Sequence, residues 1–269
     1  MFAEVKKRSM SNNGRIEKLA KGLGFEGVYF LPADSVKETE YADRLSKCSC
    51  VLLLIYPYGV FKDAGHIPSY YIASNESYHA MKKLEKQLND EGIYAENIYV
   101  PVKQLAAEHK IGAIGKNTLL HTEKWGSRIV LYTLLVSGAE AREYCEVPQN
   151  LCSICKLCEN SCPSAAISDS GYCREKCIRH YMDAPPYPDW VDDSIKTLLG
   201  CEACMEVCPY NRNVPQISVS QRIREALDLK RLASGDVKAA KELLGRNVKA
   251  KRLVADARSI MRNETKNCK

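Results

Sequence analysis

The chain has 269 residues, a net charge of +6 and 45% apolar residues, enough for one large domain or two small ones with a core of ordinary size. No apolar stretch is long enough to span a bilayer, the longest being residues 50–55, and residues 1–14 are polar and basic without the apolar stretch of a signal peptide. A cytoplasmic protein with no membrane partner is therefore expected. In that compartment 13 cysteines argue against a disulfide scaffold and for metal-bound thiolates.

In chain order, Ile16, Leu19, Ala20 and Leu23 share a helical face, with Gly24 as the stop. Residues 27–31 read as a short strand ended by Pro32. A polar helix is expected over 36–47, then a buried strand over 50–55. Asn75 is placed as the cap of a helix that turns Tyr78, Met81, Leu84 and Leu88 inward and stops at Gly92. Residues 98–102 are a strand candidate, 103–109 a short helix, and Gly112 and Gly115 mark a turn. Residues 129–136, rich in branched side chains, form the next strand. Strands alternating with helices give an α/β layer, without revealing the strand order. After residue 145 cysteines crowd the chain, and after Asn213 it turns helical and basic. From Arg222 to Lys269 there are 14 Lys and Arg against 6 Asp and Glu. Those charges suit either a solvated helix face or nucleic-acid phosphates. The fold class expected is an α/β N-terminal domain (1–145), a ferredoxin-like two-cluster α+β domain (146–215) and a short basic helical tail (216–269).

The first cysteine motif, Cys152-Ser-Ile-Cys155-Lys-Leu-Cys158-Glu-Asn-Ser-Cys162-Pro163, has the bacterial ferredoxin spacing. Three thiolates two residues apart line a tight loop and take three corners of one cubane, while the fourth points away to a second cluster. The second motif, Cys201-Glu-Ala-Cys204-Met-Glu-Val-Cys208-Pro209, repeats the last three roles, but Leu198 stands where its first cysteine belongs. The motifs thus supply seven thiolates where two cubanes need eight. The crossed assignment gives one cluster Cys152, Cys155, Cys158 and Cys208. The other takes Cys162, Cys201, Cys204 and either Cys173 or Cys177. A pair of zinc sites is the bland alternative, disfavoured by the four-cysteine run ending in Cys-Pro. Cys48 and Cys50 are expected to be small core residues, and Cys145 and Cys268 have no assigned role. The segment Gly112-Ala-Ile-Gly115-Lys116-Asn117-Thr118 fails the phosphate-loop pattern, because Lys110 and Asn117 occupy two of its defining positions. His66, His79, His109, His121 and His180 show no metal spacing, and each is expected to be structural.

These motifs, in this order, resemble the epoxyqueuosine reductase family. The similarity runs through Val51-Leu-Leu-Leu-Ile-Tyr-Pro57-Tyr, Tyr78-His79, the Gly112–Leu120 loop, the first cysteine run, Cys177-Ile-Arg-His-Tyr181 and Gly200-Cys201 to Asn211. The resemblance implies a reductase that passes electrons through two 4Fe–4S clusters to a cobalamin and acts on an epoxide of a modified tRNA base. Related corrinoid enzymes remove halogens. It implies Cys177 as the eighth ligand, the loop at Gly115, Lys116 and Asn117 beside the corrinoid, and Tyr78 and His79 bordering the same pocket. Where the family has an aspartate before Pro-Val, this chain reads Glu96-Asn-Ile-Tyr-Val-Pro101-Val102, which leaves Glu96 and Tyr99 as the catalytic candidates. Expected partners are reduced ferredoxin or flavodoxin as electron donor and a tRNA or small-molecule substrate. The alternative is a two-cluster, ferredoxin-like electron-transfer protein that docks a redox partner without corrinoid chemistry of its own. A third is an RNA-binding protein with structural clusters.

Overall fold

The computed structural model describes residues 11–37, 39–62, 65–148, 152–245 and 247–267; Cys268 and most of the 1–14 segment lie outside them. Four strands form one sheet in the order Gly27–Pro32, Cys50–Pro57, Ile129–Val136, Ala95–Ile98. A separate two-stranded sheet pairs Val60–Lys62 with Gln216–Ser218 in parallel, whereas every pairing within the four-stranded sheet is antiparallel. Successive side chains of a strand point to opposite faces, and both faces here are covered. Leu52 and Leu54 face the helices Asn12–Gly22 and Ser69–Asp90, which bring in Ile16, Ala20, Met81, Leu84 and Leu88. Val51, Leu53 and Ile55 face the other way, onto Leu105, Ala106, Ile111 and Leu120. Burial on both faces explains the unbroken apolar run in the sequence.

Four local expectations change. The helix over 36–47 is only a four-residue helix, Ala42–Leu45, preceded by 3-10 turns. Val36 and Tyr41 are both buried, and five residues on a helix turn them about 140° apart, so one straight helix does not bury both. The edge strand is Ala95–Ile98, and Val102 opens the next helix after Pro101. Asn75 is no cap of its own helix, which begins at Ser69. Its amide instead donates to the carbonyls of Glu242 and Leu243, at the end of the helix Lys238–Leu244. Tyr78 points outward, because Ser77, four residues before Met81, takes the buried position.

A third core joins the segment around the cysteines to the C-terminal helices. Ile178, Met182, Val191, Leu198 and Leu199 pack with Leu227, Leu232, Leu253, Ala257 and Ile260. The basic region is thus partly buried and partly neutralised. Arg252 is 5% exposed, pairs with Asp183, and donates to the Leu199 carbonyl at 2.6 Å and the Tyr71 hydroxyl at 3.2 Å. Arg262 pairs with Asp192, and Lys266 lies 2.8 Å from Asp193. Among the described residues no helix is long and apolar enough to cross a membrane.

Asp256 anchors this junction. It is fully buried, and accepts hydrogen bonds from the Tyr187 hydroxyl at 2.7 Å and the Leu199 amide at 2.8 Å. Burial raises its carboxyl from 3.8 to about 6, with the hydrogen bonds and Arg252 acting in the opposite direction. An acid whose folded-state pKa is raised binds its proton more tightly when folded. Its contribution is therefore greatest at low pH and declines as pH rises toward 6 and above. Relative to Asp256→Asn, the wild-type chain should lose about 1 kcal/mol of stability between pH 5 and 7, measured by denaturant unfolding at each pH.

Candidate cluster and cofactor site

The cysteines fall into two adjoining groups. Cys152, Cys155, Cys158 and Cys208 line one small cavity with Lys116, Asn117, His121 and Tyr210. Cys162, Cys177, Cys201 and Cys204 border a larger cavity of about 470 Å³. The groups adjoin, with Cys204 close enough for Cys158 as well as its own group to act on it electrostatically. Short elements place them: the helix Leu157–Ser161 presents Cys158, and the helix Ala203–Glu206 presents Cys204. The Ser161 hydroxyl donates to the Ala203 carbonyl at 3.4 Å and ties the two helices together. Cys173 belongs to neither group; its sulfur donates to Glu175 at 3.6 Å. Cys50 is a buried core residue whose thiol donates to the Ala139 carbonyl at 3.3 Å, and Cys48 packs against the opposite face of the sheet. Cys145 is exposed.

Electrostatics set the requirement for these groups. Burial, and then the neighbouring thiols, push Cys204 up to about 12. Burial likewise raises Cys201. Burial also acts upward on Cys162, but the hydrogen bonds from Ser164 and Ala166 outweigh it and bring that thiol down. Burial thus favours the protonated thiols of Cys201 and Cys204, and ionising them together requires a cationic centre between them. Among the described residues no three His, Cys, Asp or Glu side chains lie close enough to hold a single metal ion. Thiolates around a cubane stand further apart than around one ion, because four irons lie between them.

The larger cavity opens where the end of the sheet meets the second cysteine motif. Apolar side chains of Leu119, Leu120, Ile129, Val130 and Leu131 line it together with Tyr58, Tyr70 and Tyr71. A turn holds the junction. Gly126 has φ +56°, and a Cβ there would lie 2.2 Å from the Asn211 carboxamide oxygen, so only glycine permits this approach. The same oxygen accepts from the Ser127 amide at 2.8 Å. Next to it, Arg128, 2% exposed, pairs with Glu202 between two of the cysteines. Sequence reasoning missed this pair; the available signal was an arginine standing directly before a strongly apolar strand.

The other candidate residues scatter. Of the five cofactor candidates only Asn117 borders the larger cavity. Gly115 packs against the His121 ring, and Lys116 pairs with Glu159 at 2.6 Å. That hydrogen bond raises the Lys116 ammonium. Tyr78 and His79 do not line the cavity; they pack edge to face on each other along an outward face of their helix. Glu96 accepts from the Tyr94 hydroxyl and pairs with Arg44 at 3.2 Å, away from the cavity. Tyr99 is 77% exposed and also outside it. His121 is buried, and burial pushes its imidazole down to about 4. Removing Glu202 leaves the Arg128 charge buried without its partner. Glu202→Ala should therefore destabilise the protein by about 3–5 kcal/mol, and Glu202→Gln by less, in denaturant unfolding at neutral pH.

No family model matches the chain. It is 32% identical over 107 residues to the epoxyqueuosine reductase of Listeria monocytogenes, aligning 38% of this chain and 27% of that protein. It is 25% identical over 167 residues to that of Leadbetterella byssophila, aligning 58% of this chain and 52% of that protein. The alignments thus span about a quarter to a half of these curated relatives. Its fold matches the structure of epoxyqueuosine reductase from Streptococcus thermophilus with a TM-score of 0.71 at 19% identity, covering 95% of this chain and 82% of that one. A crystal structure of an epoxyqueuosine reductase with an epoxyqueuosine-modified tRNA stem loop matches with a TM-score of 0.70 at 18% identity, covering 93% and 80%. The resemblance is thus borne out: the chain is similar in sequence to epoxyqueuosine reductases and shares the fold of their solved structures.

Proposed function

We propose that the chain is an iron–sulfur oxidoreductase that draws electrons through two 4Fe–4S clusters into a cavity holding a corrinoid, where a substrate is reduced. The observation that carries this is the arrangement of eight cysteines as two adjoining groups of four, the second forming part of the wall of the 470 Å³ cavity. Cys152, Cys155, Cys158 and Cys208 hold one cluster, and Cys162, Cys177, Cys201 and Cys204 hold the other. The donor sets fit: each group is all thiol, as a cubane requires. The cavity suits a corrinoid because apolar and aromatic side chains in its lining suit the macrocycle, polar ones such as Lys103, Asn117, Ser127 and Arg179 suit its amide rim, and cysteines stand in the same lining. When bound, the clusters carry single electrons and the corrinoid supplies the reducing metal centre.

The chain's own residues bind, orient and exclude water. Leu119, Leu120, Ile129 and Leu131 keep part of the cavity lining dry. Tyr58, Tyr70 and Tyr71 offer ring faces and edges for packing a flat ligand. Arg128 and Glu202 hold the cysteine-bearing segment against the sheet. A reduced ferredoxin or flavodoxin is the proposed donor. A modified base on tRNA is the proposed substrate class, supported by the relative crystallised with a tRNA stem loop.

Two measurements test this. Anoxic reconstitution should give about eight irons per chain. Cys177→Ser should lose one cluster's iron while Cys173→Ser keeps both; the reverse pattern overturns the ligand assignment. Electron paramagnetic resonance of cob(II)alamin should change on adding the protein. A spectrum identical to free cob(II)alamin, with both clusters still reducible, would leave a two-cluster electron relay instead.

A further inference from the structure

The glycine loop has no evident task in the large cavity beyond Asn117 and the residues just after it. It is folded instead around His121. The strands Ala113–Ile114 and Leu120–His121 pair antiparallel, setting Ala113 opposite His121. Two glycines let the hairpin close: a Cβ on Gly112 would lie 2.7 Å from the His121 carbonyl oxygen, and one on Gly115 would lie 2.7 Å from His121 Nε2. The ring is 1% exposed and packs on Tyr210, with centroids 4.9 Å apart. Its Nε2 is 3.0 Å from the Asn117 side-chain oxygen, and its Nδ1 is 3.8 Å from the Cys208 sulfur. Lys116 reaches back from the same loop to Glu159, beside Cys158.

We propose that this loop clamps the first cluster, with His121 donating an N–H···S hydrogen bond from Nδ1 to the Cys208 sulfur and so raising that cluster's reduction potential. The inference rests on the assignment of Cys208 and its group as cluster ligands. A cysteine sulfur bound to iron has no proton and only accepts, so an attractive contact with the ring needs the N–H on the facing nitrogen. Reduction adds negative charge to the cluster and its sulfurs, and a donor aimed at one sulfur stabilises the reduced form. In the neutral ring a proton on Nδ1 leaves Nε2 bare, so the clamp requires the Asn117 amide to present its NH2 to Nε2, with its oxygen turned away from both the ring and the Leu119 amide 3.3 Å from it. His121 is thus a positioning residue, touching a ligand of the cluster rather than the substrate.

The test is an anoxic redox titration of the two-cluster protein, followed by electron paramagnetic resonance, with iron counted in each sample. His121→Phe should shift one of the two midpoint potentials to more negative values and leave the other in place. His121→Gln, which keeps an N–H donor, should lie between wild type and His121→Phe. Gly115→Ala, whose methyl displaces the ring, should shift the same midpoint in the same direction; it carries the test if His121→Phe fails to retain iron. A fully loaded His121→Phe protein with both midpoints unchanged, a positive shift, or an equal shift of both clusters overturns the proposal. If the wild-type chain itself takes up no cubane, the cluster assignment falls and the clamp falls with it. Loaded wild type with unmoved variants removes the clamp alone.

Discussion

The buried ion pair between Arg128 and Glu202 is the constraint on which the rest of the site depends. One partner stands at the head of the strand Ile129–Val136, and the other lies between Cys201 and Cys204. An ionised arginine this deeply buried is tolerated only with its counter-charge in place. The pair therefore fixes where the cysteine-bearing segment meets the sheet. Gly126 and Asn211 complete the junction by allowing two backbones to approach closely. The larger cavity and the thiols in its wall both follow from that docking.

The C-terminal helices play a part that their charge alone does not suggest. Arg252, Arg262 and Lys266 are matched by Asp183, Asp192 and Asp193 of the loop between the cysteine motifs. Asp256 and the surrounding apolar residues bind the same loop from below. The helices thus hold the segment that carries Cys177 toward its group. Their basic character is in part an internal balance of charge, which leaves less of it for an external polyanion.

The relation to epoxyqueuosine reductases fits this arrangement but does not by itself assign a substrate. The positions taken by resemblance as catalytic, Glu96 and Tyr99, do not line the cavity: one is engaged with Tyr94 and Arg44, the other faces solvent. The groups that do surround the cavity are tyrosines, Lys103, Asn117, Arg179 and Glu202.

The sequence by itself determined the local facts. The regular cysteine spacing, the unbroken apolar strand at 50–55 and the strand at 129–136 are short-range patterns, each legible within about ten residues. The same holds for the helix carrying Met81, Leu84 and Leu88, though its start was misplaced, because the apparent cap Asn75 bonds to a helix over 160 residues away. The tertiary structure alone decided everything that depends on distant partners. Spacing leaves Cys173 and Cys177 open and the family resemblance points to Cys177; the fold brings Cys177, and not Cys173, to the cavity that Cys162, Cys201 and Cys204 line. It turns Tyr78 and His79 away from the cavity and brings Tyr58 and Glu202 to it. It converts an apparently ordinary histidine into the neighbour of a cysteine 87 residues later, because two glycines leave room for the ring and nothing in the local sequence records who fills it.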